Sequence, residues 1–390
     1  MNNKSSDLFC YAPWTHLYVN PDSRLLPCCL YEDKNHEFSV LNNTHSILES
    51  MNHPRMIQIR SEFIQHKIPA GCYKCESQMK MNMTPYKQKI NNIAESSDKP
   101  IEILQDGTVE HFEPLYLDIR FGNLCNLKCL TCSPTFSSSI AVEFNKIHNR
   151  KNKTLHRLDH EIIDEIFNDL VQVKEIYLAG GEPLITEENY NLLNILTEHE
   201  LDPSLTYNTN LTNIQYRDKQ LTDLWNKFTN ITVIVSLDGY KHVNDYIRYG
   251  SDYDSVINNI LTVKQQTPHV KIKINSVASV MSMLSLPDLG QNLLSTHICS
   301  AKDIMYSIAH QPENMDPTVL PLDKKNQIVE RWESYILWLT ENNHDYDYID
   351  RCRGLINYMM SKDNSIKFEQ IIYKLQETDR FRNSDYKTIL

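Results

Sequence analysis

Leu115-Tyr-Leu-Asp-Ile-Arg-Phe-Gly-Asn-Leu-Cys125-Asn-Leu-Lys-Cys129-Leu-Thr-Cys132 joins a strand-like apolar run to three cysteines spaced C-x3-C-x2-C. Helical periodicity follows the last cysteine. A strand leading through a ligand-bearing loop into a helix is the first βα unit of a parallel sheet, where functional groups gather at strand C-terminal ends. Three thiolates are informative. Structural zinc takes four closed ligands, whereas a 4Fe-4S cluster on three thiolates keeps one iron open to an exchangeable ligand. The alternatives are a zinc knuckle that borrows a fourth ligand and three coincidental core thiols.

Outward from this unit the alternation continues. Six strand-like runs are legible, Leu115 to Arg120, Glu175 to Ala179, Leu205 to Thr209, Ile231 to Leu237, Lys271 to Ala278 and Lys302 to Ile308, each bounded by polar or turn residues. Apolar stripes of helical spacing lie between them: Phe136, Ile140, Phe144 and Ile147; Ile162, Ile166 and Leu170 behind an N-cap at Asp159; Tyr190, Leu193 and Leu196; Val256, Ile260 and Val263; Leu286, Leu289 and Leu293. The expected class is α/β, a partial (β/α)6 TIM-like barrel. The expected parts are a cysteine-rich module over 1–90, a linker over 91–113, the barrel over 114–310 and a helical extension over 311–390, with Ile328, Trp332, Tyr335, Ile336 and Leu339 on one face.

The first hundred residues read differently. Apolar runs around Tyr11 to Val19 and Leu25 to Leu30 flank Asn20-Pro21-Asp22-Ser23, a hairpin signal, and Met56, Ile59 and Phe63 give a helix one apolar face. Cys10, Pro27-Cys28-Cys29 and Gly71-Cys72-Tyr-Lys-Cys75 supply thiolates for a fully ligated site, which suits zinc or a second cluster. Adjacent thiolates seldom both serve one metal, and of Cys28 and Cys29 the former is taken as the ligand. His16 and Trp14 read as packing.

The chain has 390 residues, 41% hydrophobic and 23% charged, which is ordinary globular usage. Its net charge of -11 argues against nucleic-acid phosphate as the main partner. Residues Met1 to Phe9 are polar, without the apolar core of a signal peptide, and no apolar run is long enough to span a bilayer, so a cytoplasmic protein is expected. In that compartment clustered thiols, here most of ten cysteines, mark metal binding rather than disulfides. Cys299 and Cys352 read as small buried hydrophobes.

Later strand ends carry polar groups. Gly180, Gly181 and Glu182 close the second strand, where glycines allow close backbone approach and a carboxylate can accept from an ammonium group, unless they form only a tight turn. Tyr207-Asn208-Thr209-Asn210 and Ser236-Leu237-Asp238-Gly239 close the third and fourth. Asp245-Tyr-Ile-Arg248-Tyr-Gly250 follows, with Arg248 either solvated or a carboxylate partner.

C-x3-C-x2-C after the first strand, with Gly180-Gly181-Glu182-Pro183 after the second, resembles the radical S-adenosylmethionine (SAM) superfamily. That resemblance implies a 4Fe-4S cluster on Cys125, Cys129 and Cys132. It also implies reductive cleavage of SAM to a 5′-deoxyadenosyl radical that abstracts hydrogen from a substrate. Gly180, Gly181 and Glu182 would bind the SAM amino group, Asn210, Ser236 and Asp238 its ribose or carboxylate, and Arg248 its carboxylate. Thr131 stands where the family often has an aromatic residue beside the adenine. Cys10, Cys28, Cys72 and Cys75 resemble the ligands of a twitch, or short SPASM, auxiliary 4Fe-4S module, placed here before the barrel. Proteins with that order include many bacteriophage-encoded members and share the tail Asp379-Arg380-Phe-Arg-Asn383. SPASM and twitch members often modify peptides or proteins; nucleotides and small alcohols are the rival substrates. A reductant such as flavodoxin or ferredoxin is implied, and a non-catalytic metal-stabilised binding protein is the rival of another class.

Overall fold

A computed structural model describes residues 8–33, 37–42, 44–80, 84–309 and 315–390. Residues 1–7 of the polar N-terminal stretch, and the expected start of the helical extension at 310–311, lie outside the described residues. The strands are β1 (His16–Val19), β2 (Leu25–Leu26), β3 (Tyr116–Ile119), β4 (Lys128–Cys129), β5 (Glu175–Leu178), β6 (Ser204–Thr209), β7 (Gln215–Tyr216), β8 (Lys219–Gln220), β9 (Ile231–Ser236), β10 (Arg248–Tyr249), β11 (Lys271–Ala278) and β12 (Ile304–Ile308). Six of them, β3, β5, β6, β9, β11 and β12, are the expected runs, and the chain is α/β with parallel strands. No helix among the described residues is long and apolar enough to cross a membrane.

The chain forms two compact units. The first comprises 1–124, 155–207 and 226–231, with the strand order β6-β5-β3-β1-β2. β1, β3, β5 and β6 are parallel, and β2 closes the edge antiparallel, pairing Tyr18 with Leu26 and Val19 with Leu25. The hairpin is therefore present. Its first arm also pairs along β3, His16 opposite Tyr116 and Val19 opposite Ile119, a long-range neighbour that no local pattern announces. The expected second arm ends at Leu26 because Pro27 has no N–H for the ladder.

In the same unit the helix Tyr86–Glu95 runs through the start of the expected linker. The remainder of that segment has no regular structure but is fastened down. Asn52 Nδ2 donates to the Val109 carbonyl at 2.8 Å and Asn52 Oδ1 accepts from Val109 N at 2.9 Å. The buried Arg60 donates to Pro13 O at 2.9 Å and to Gly107 O at 3.1 Å. Side chains can thus order polar sequence that carries no apolar period.

The second unit comprises 125–154, 208–225 and 232–390 and has β12-β11-β9 in parallel order, with the short antiparallel pairs β4-β10 and β7-β8. The stripes at Val256, Ile260 and Val263 and at Leu286, Leu289 and Leu293 are buried as expected, as are Tyr190, Leu193 and Leu196 in the first unit. Phe136 departs from its expected stripe. It precedes the helix Ser138–Ile147, which Ser137 caps, and is exposed, while Ala141 and Glu143 form that helix's buried face. Asp159 occupies its N-cap position without a side-chain bond. The helical extension is present as Leu322–Glu341, Tyr346–Met360 and Phe368–Arg382.

Replacing Asn52 by Ala strands two backbone groups of Val109 and is expected to lower unfolding free energy by about 1–3 kcal/mol in urea titration. The exposed Gln88→Ala is expected to stay within about 0.5 kcal/mol of wild type.

Candidate functional site

In the second unit, β4 and β10 place Arg248 directly opposite Cys129 and Tyr249 opposite Lys128. The Arg248 guanidinium is held by Asp238, Nη1 donating to Oδ2 at 2.7 Å. Asp238 is fully buried and is itself fixed, Oδ1 accepting from Val277 N at 2.8 Å while its own N donates to Asn244 Oδ1 at 3.0 Å. Burial alone would lower the Arg248 pKa; the Cys129 thiol and the Asp238 carboxylate outweigh it and hold the guanidinium charged. Its Nε is buried without a hydrogen-bond partner.

The loop carrying the three cysteines is gripped by the start of the following helix. Ser138 Oγ accepts from Cys125 N at 3.2 Å, Ser139 Oγ donates to Cys125 O at 2.6 Å, and Ser137 Oγ donates to Leu127 O at 3.0 Å. Leu127 N points at Cys125 Sγ, 3.5 Å away. Burial raises the thiol of Cys129, and that of Cys132 to about 12, with Cys129 and Cys125 adding to the latter. These thiols ionise only against a positive charge or a metal.

Asn210 reaches the same loop, Nδ2 donating to Asn126 Oδ1 at 3.0 Å while its Oδ1 accepts from Thr212 N at 2.9 Å. Ser236 Oγ lies 3.4 Å from Asn208 Oδ1. Asn126, Asn244 and Glu143 escaped the sequence reading. The run Ser137-Ser-Ser139 was the available signal, since a serine cap so close to the cysteines fixes their loop.

In the first unit, Gly180 and Gly181 have φ of +76° and +54°. A Cβ on Gly181 would lie 2.3 Å from Leu124 O and one on Gly180 2.5 Å from Arg120 Cγ, so conformation and space both demand glycine. Glu182 is buried, its N donating to Leu124 O at 2.8 Å and its Oε1 accepting from Leu184 N at 3.1 Å.

The first unit also gathers Cys10, Cys28, Cys72 and Cys75 around one apolar cavity, with Phe63 and Ile90 in its wall. The helix Tyr73–Lys80 begins directly after Cys72 and sets Cys75 one turn further on. Burial, reinforced by the neighbouring thiols, raises Cys28 and Cys72, and burial raises Cys10 to about 12. Cys29 stands apart from the cavity, with Asp118, Arg120 and Tyr86 as its charged and polar neighbours. Among the described residues no three His, Cys, Asp or Glu side chains stand as a ready single-ion site. As donor sets, three thiols backed by a fixed cation and an orphaned N–H fit a cluster with a carboxylate-bearing ligand on its open iron. Four thiols in an apolar wall fit a fully ligated cluster. Cys352 is fully buried and Cys299 partly so.

A family model of the radical SAM superfamily matches residues 119–278, and one for the iron-sulfur cluster-binding SPASM domain matches residues 10–76. The chain thus contains a radical SAM domain over residues 119–278. Its N-terminal part is a SPASM-type module standing before the SAM domain, and the two domains imply a 4Fe-4S cluster with SAM and auxiliary iron–sulfur ligation. A GTP 3',8-cyclase of Campylobacter lari is 28% identical over 118 residues, covering 30% of this chain and 34% of the cyclase, so the chain spans about a third of that relative's length. Among solved structures, Streptococcus suis SuiB bound to precursor peptide SuiA is 18% identical, with 82% of this chain and 56% of that chain covered at a TM-score of 0.42. Native anSMEcpe with bound AdoMet is 16% identical, with 59% and 62% covered at a TM-score of 0.40.

Single replacements of Cys28 and Cys29 by Ala separate their roles. Iron analysis after anaerobic reconstitution is expected to show about four irons fewer per chain in Cys28→Ala and no loss in Cys29→Ala. Gly181→Ala is expected to lower the thermal midpoint sharply, because its Cβ meets backbone that cannot yield.

Proposed function

We propose that this chain is a radical SAM enzyme acting on a peptide or protein substrate. The observation that carries this reading is the pairing of Cys129, one of three closely spaced thiols, with Arg248, whose charge Asp238 fixes and whose Nε is buried without a partner. Bound there, a 4Fe-4S cluster with SAM supplies a 5′-deoxyadenosyl radical able to take hydrogen from a substrate.

Cys125, Cys129 and Cys132 would hold that cluster. Arg248 Nε would donate to the SAM carboxylate, with Asp238 holding the guanidinium through Nη1. Gly180, Gly181 and Glu182 would bind the SAM ammonium group, with the Glu182 carboxylate as the acceptor. Asn210 and Ser236 offer short polar groups to the ribose. Cys10, Cys28, Cys72 and Cys75 would hold the auxiliary 4Fe-4S cluster, and a flavodoxin or ferredoxin is the fitting electron donor. These roles divide the chain into the auxiliary module over 1–90, a connecting segment, the SAM domain over 114–310 and the helical extension.

The peptide reading rests on the SPASM-type module. A nucleotide substrate is the second reading, favoured by the match to a cyclase whose name specifies GTP.

Reconstituted protein given SAM and dithionite is expected to release 5′-deoxyadenosine; no release with the clusters intact would sink the enzyme reading. Cys129→Ala is expected to lower that release by a factor on the order of a thousand or more while retaining auxiliary iron. Transfer of deuterium into 5′-deoxyadenosine from labelled peptides, and not from labelled nucleotides, is the outcome expected for the substrate.

A further inference from the structure

Asp379-Arg380-Phe381-Arg382-Asn383 ends the helix Phe368–Arg382, and the roles assigned above do not use it. Arg380 and Phe381 are exposed, whereas Asp379 and Arg382 are buried. Arg382 grips Glu143 of the helix Ser138–Ile147, Nη2 reaching Oε1 at 2.6 Å and Nε lying 3.2 and 3.1 Å from the two oxygens. Its guanidinium also lies 4.9 Å from the Tyr249 ring centroid, and Tyr249 OH donates to Arg382 O at 3.1 Å.

Asp379 completes the attachment. Its Oδ1 accepts from Tyr246 OH at 2.9 Å and from Ser384 Oγ at 2.6 Å, and its Oδ2 accepts from Tyr386 N at 2.7 Å. Asn383, in the left-handed region at φ 56°, turns the chain so that Ser384 and Tyr386 reach back. On the other side, Lys128 lies 3.7 Å from Glu143 and 5.5 Å over Tyr249. Among the described residues, the groups that the tail touches on this side lie on the helix His242–Ile247 that runs into Arg248, at Tyr249 beside it, and on the helix that follows the cysteine loop.

A buried Arg–Glu pair is poor at adding stability, because desolvating both charges offsets their attraction, and apolar residues of like volume serve a core as well. The pair does supply orientation, and its two charges cancel, so it adds no net charge beside the cysteines. We propose that Asp379 and Arg382 form a clasp that positions the β4-β10 pairing and so holds the loop of Cys125, Cys129 and Cys132 in the shape that retains its cluster. This inference rests on the cluster reading above. Contacts outside the ligand set orient the ligands and alter metal affinity.

The test uses the full-length reconstituted protein and the cluster EPR signal that changes when SAM is added. Glu143→Met with Arg382→Met keeps the buried volume and removes both charges. Its thermal midpoint is expected to stay near wild type. Iron release from the SAM-responsive cluster to a chelator is expected to be roughly tenfold faster, the scale on which outer contacts alter metal affinity. Arg382→Lys, which keeps the ion pair, is expected to release iron more slowly than the double variant, and the exposed Arg380→Ala to match wild type. Unchanged iron release in the folded double variant would overturn the clasp. Should the double variant not fold, Tyr246→Phe and Tyr249→Phe each remove one hydrogen bond at constant shape; faster iron release from both supports the clasp, and wild-type rates overturn it. If wild-type protein shows no SAM-responsive signal, the cluster reading fails, and the clasp's role in retaining that cluster fails with it.

Discussion

Two residues of β4 paired with two of β10 make a ladder as short as any in the second unit, and its site is arranged around that contact. The pairing holds Cys129 against Arg248 although 119 positions separate them in sequence. Two residue pairs are too short to be stable as an isolated ladder. The surroundings hold them: Asp238 fixes the guanidinium, the serines of the following helix hold the cysteine loop, and Glu143 and Arg382 fasten the other side. A thiol and a cation kept at one distance form a preorganised place for an anionic group, since charge and hydrogen-bond donors are set before any ligand arrives.

The first unit meets a different constraint. Its four cavity cysteines come from three segments, the residues just before the short helix Ala12–Thr15, the stretch that follows β2, and the turn and helix after Gly71, and the fold must bring them to one apolar wall. Tyr31 ties two of the segments, because its ring packs where a Gly71 side chain would stand and its hydroxyl accepts from Arg55 at 2.8 Å. Apolar surroundings then raise the thiols, so the cavity favours neutral cysteines until a metal supplies compensating charge.

Placement separates residues that look alike in sequence. Cys28 and Cys29 are adjacent and chemically identical, yet one lines the cavity and the other borders the Asp118 carboxylate and Arg120. Phe136 and Phe144 share a helical period, but Ser137 starts the helix after the first of them and leaves it exposed. In Asp379-Arg380-Phe381-Arg382 only the first and last side chains turn inward, a split that follows from where Tyr246 and Glu143 stand.

The sequence by itself determined the α/β class, the six βα strands within a residue or two, the hairpin, the helical extension and the cysteine groups. Each is a local pattern, a period, a turn or a spacing, and local sterics and burial enforce it along a few neighbouring residues. Only the tertiary structure decided that β1 lies along β3, that Asn52 and Arg60 pin the supposed linker, that Asp238 holds Arg248, and that Arg382 reaches Glu143. Those are contacts between distant segments, in which a polar group is satisfied by whichever partner the packing brings near, and polar residues carry no period that would name the partner beforehand.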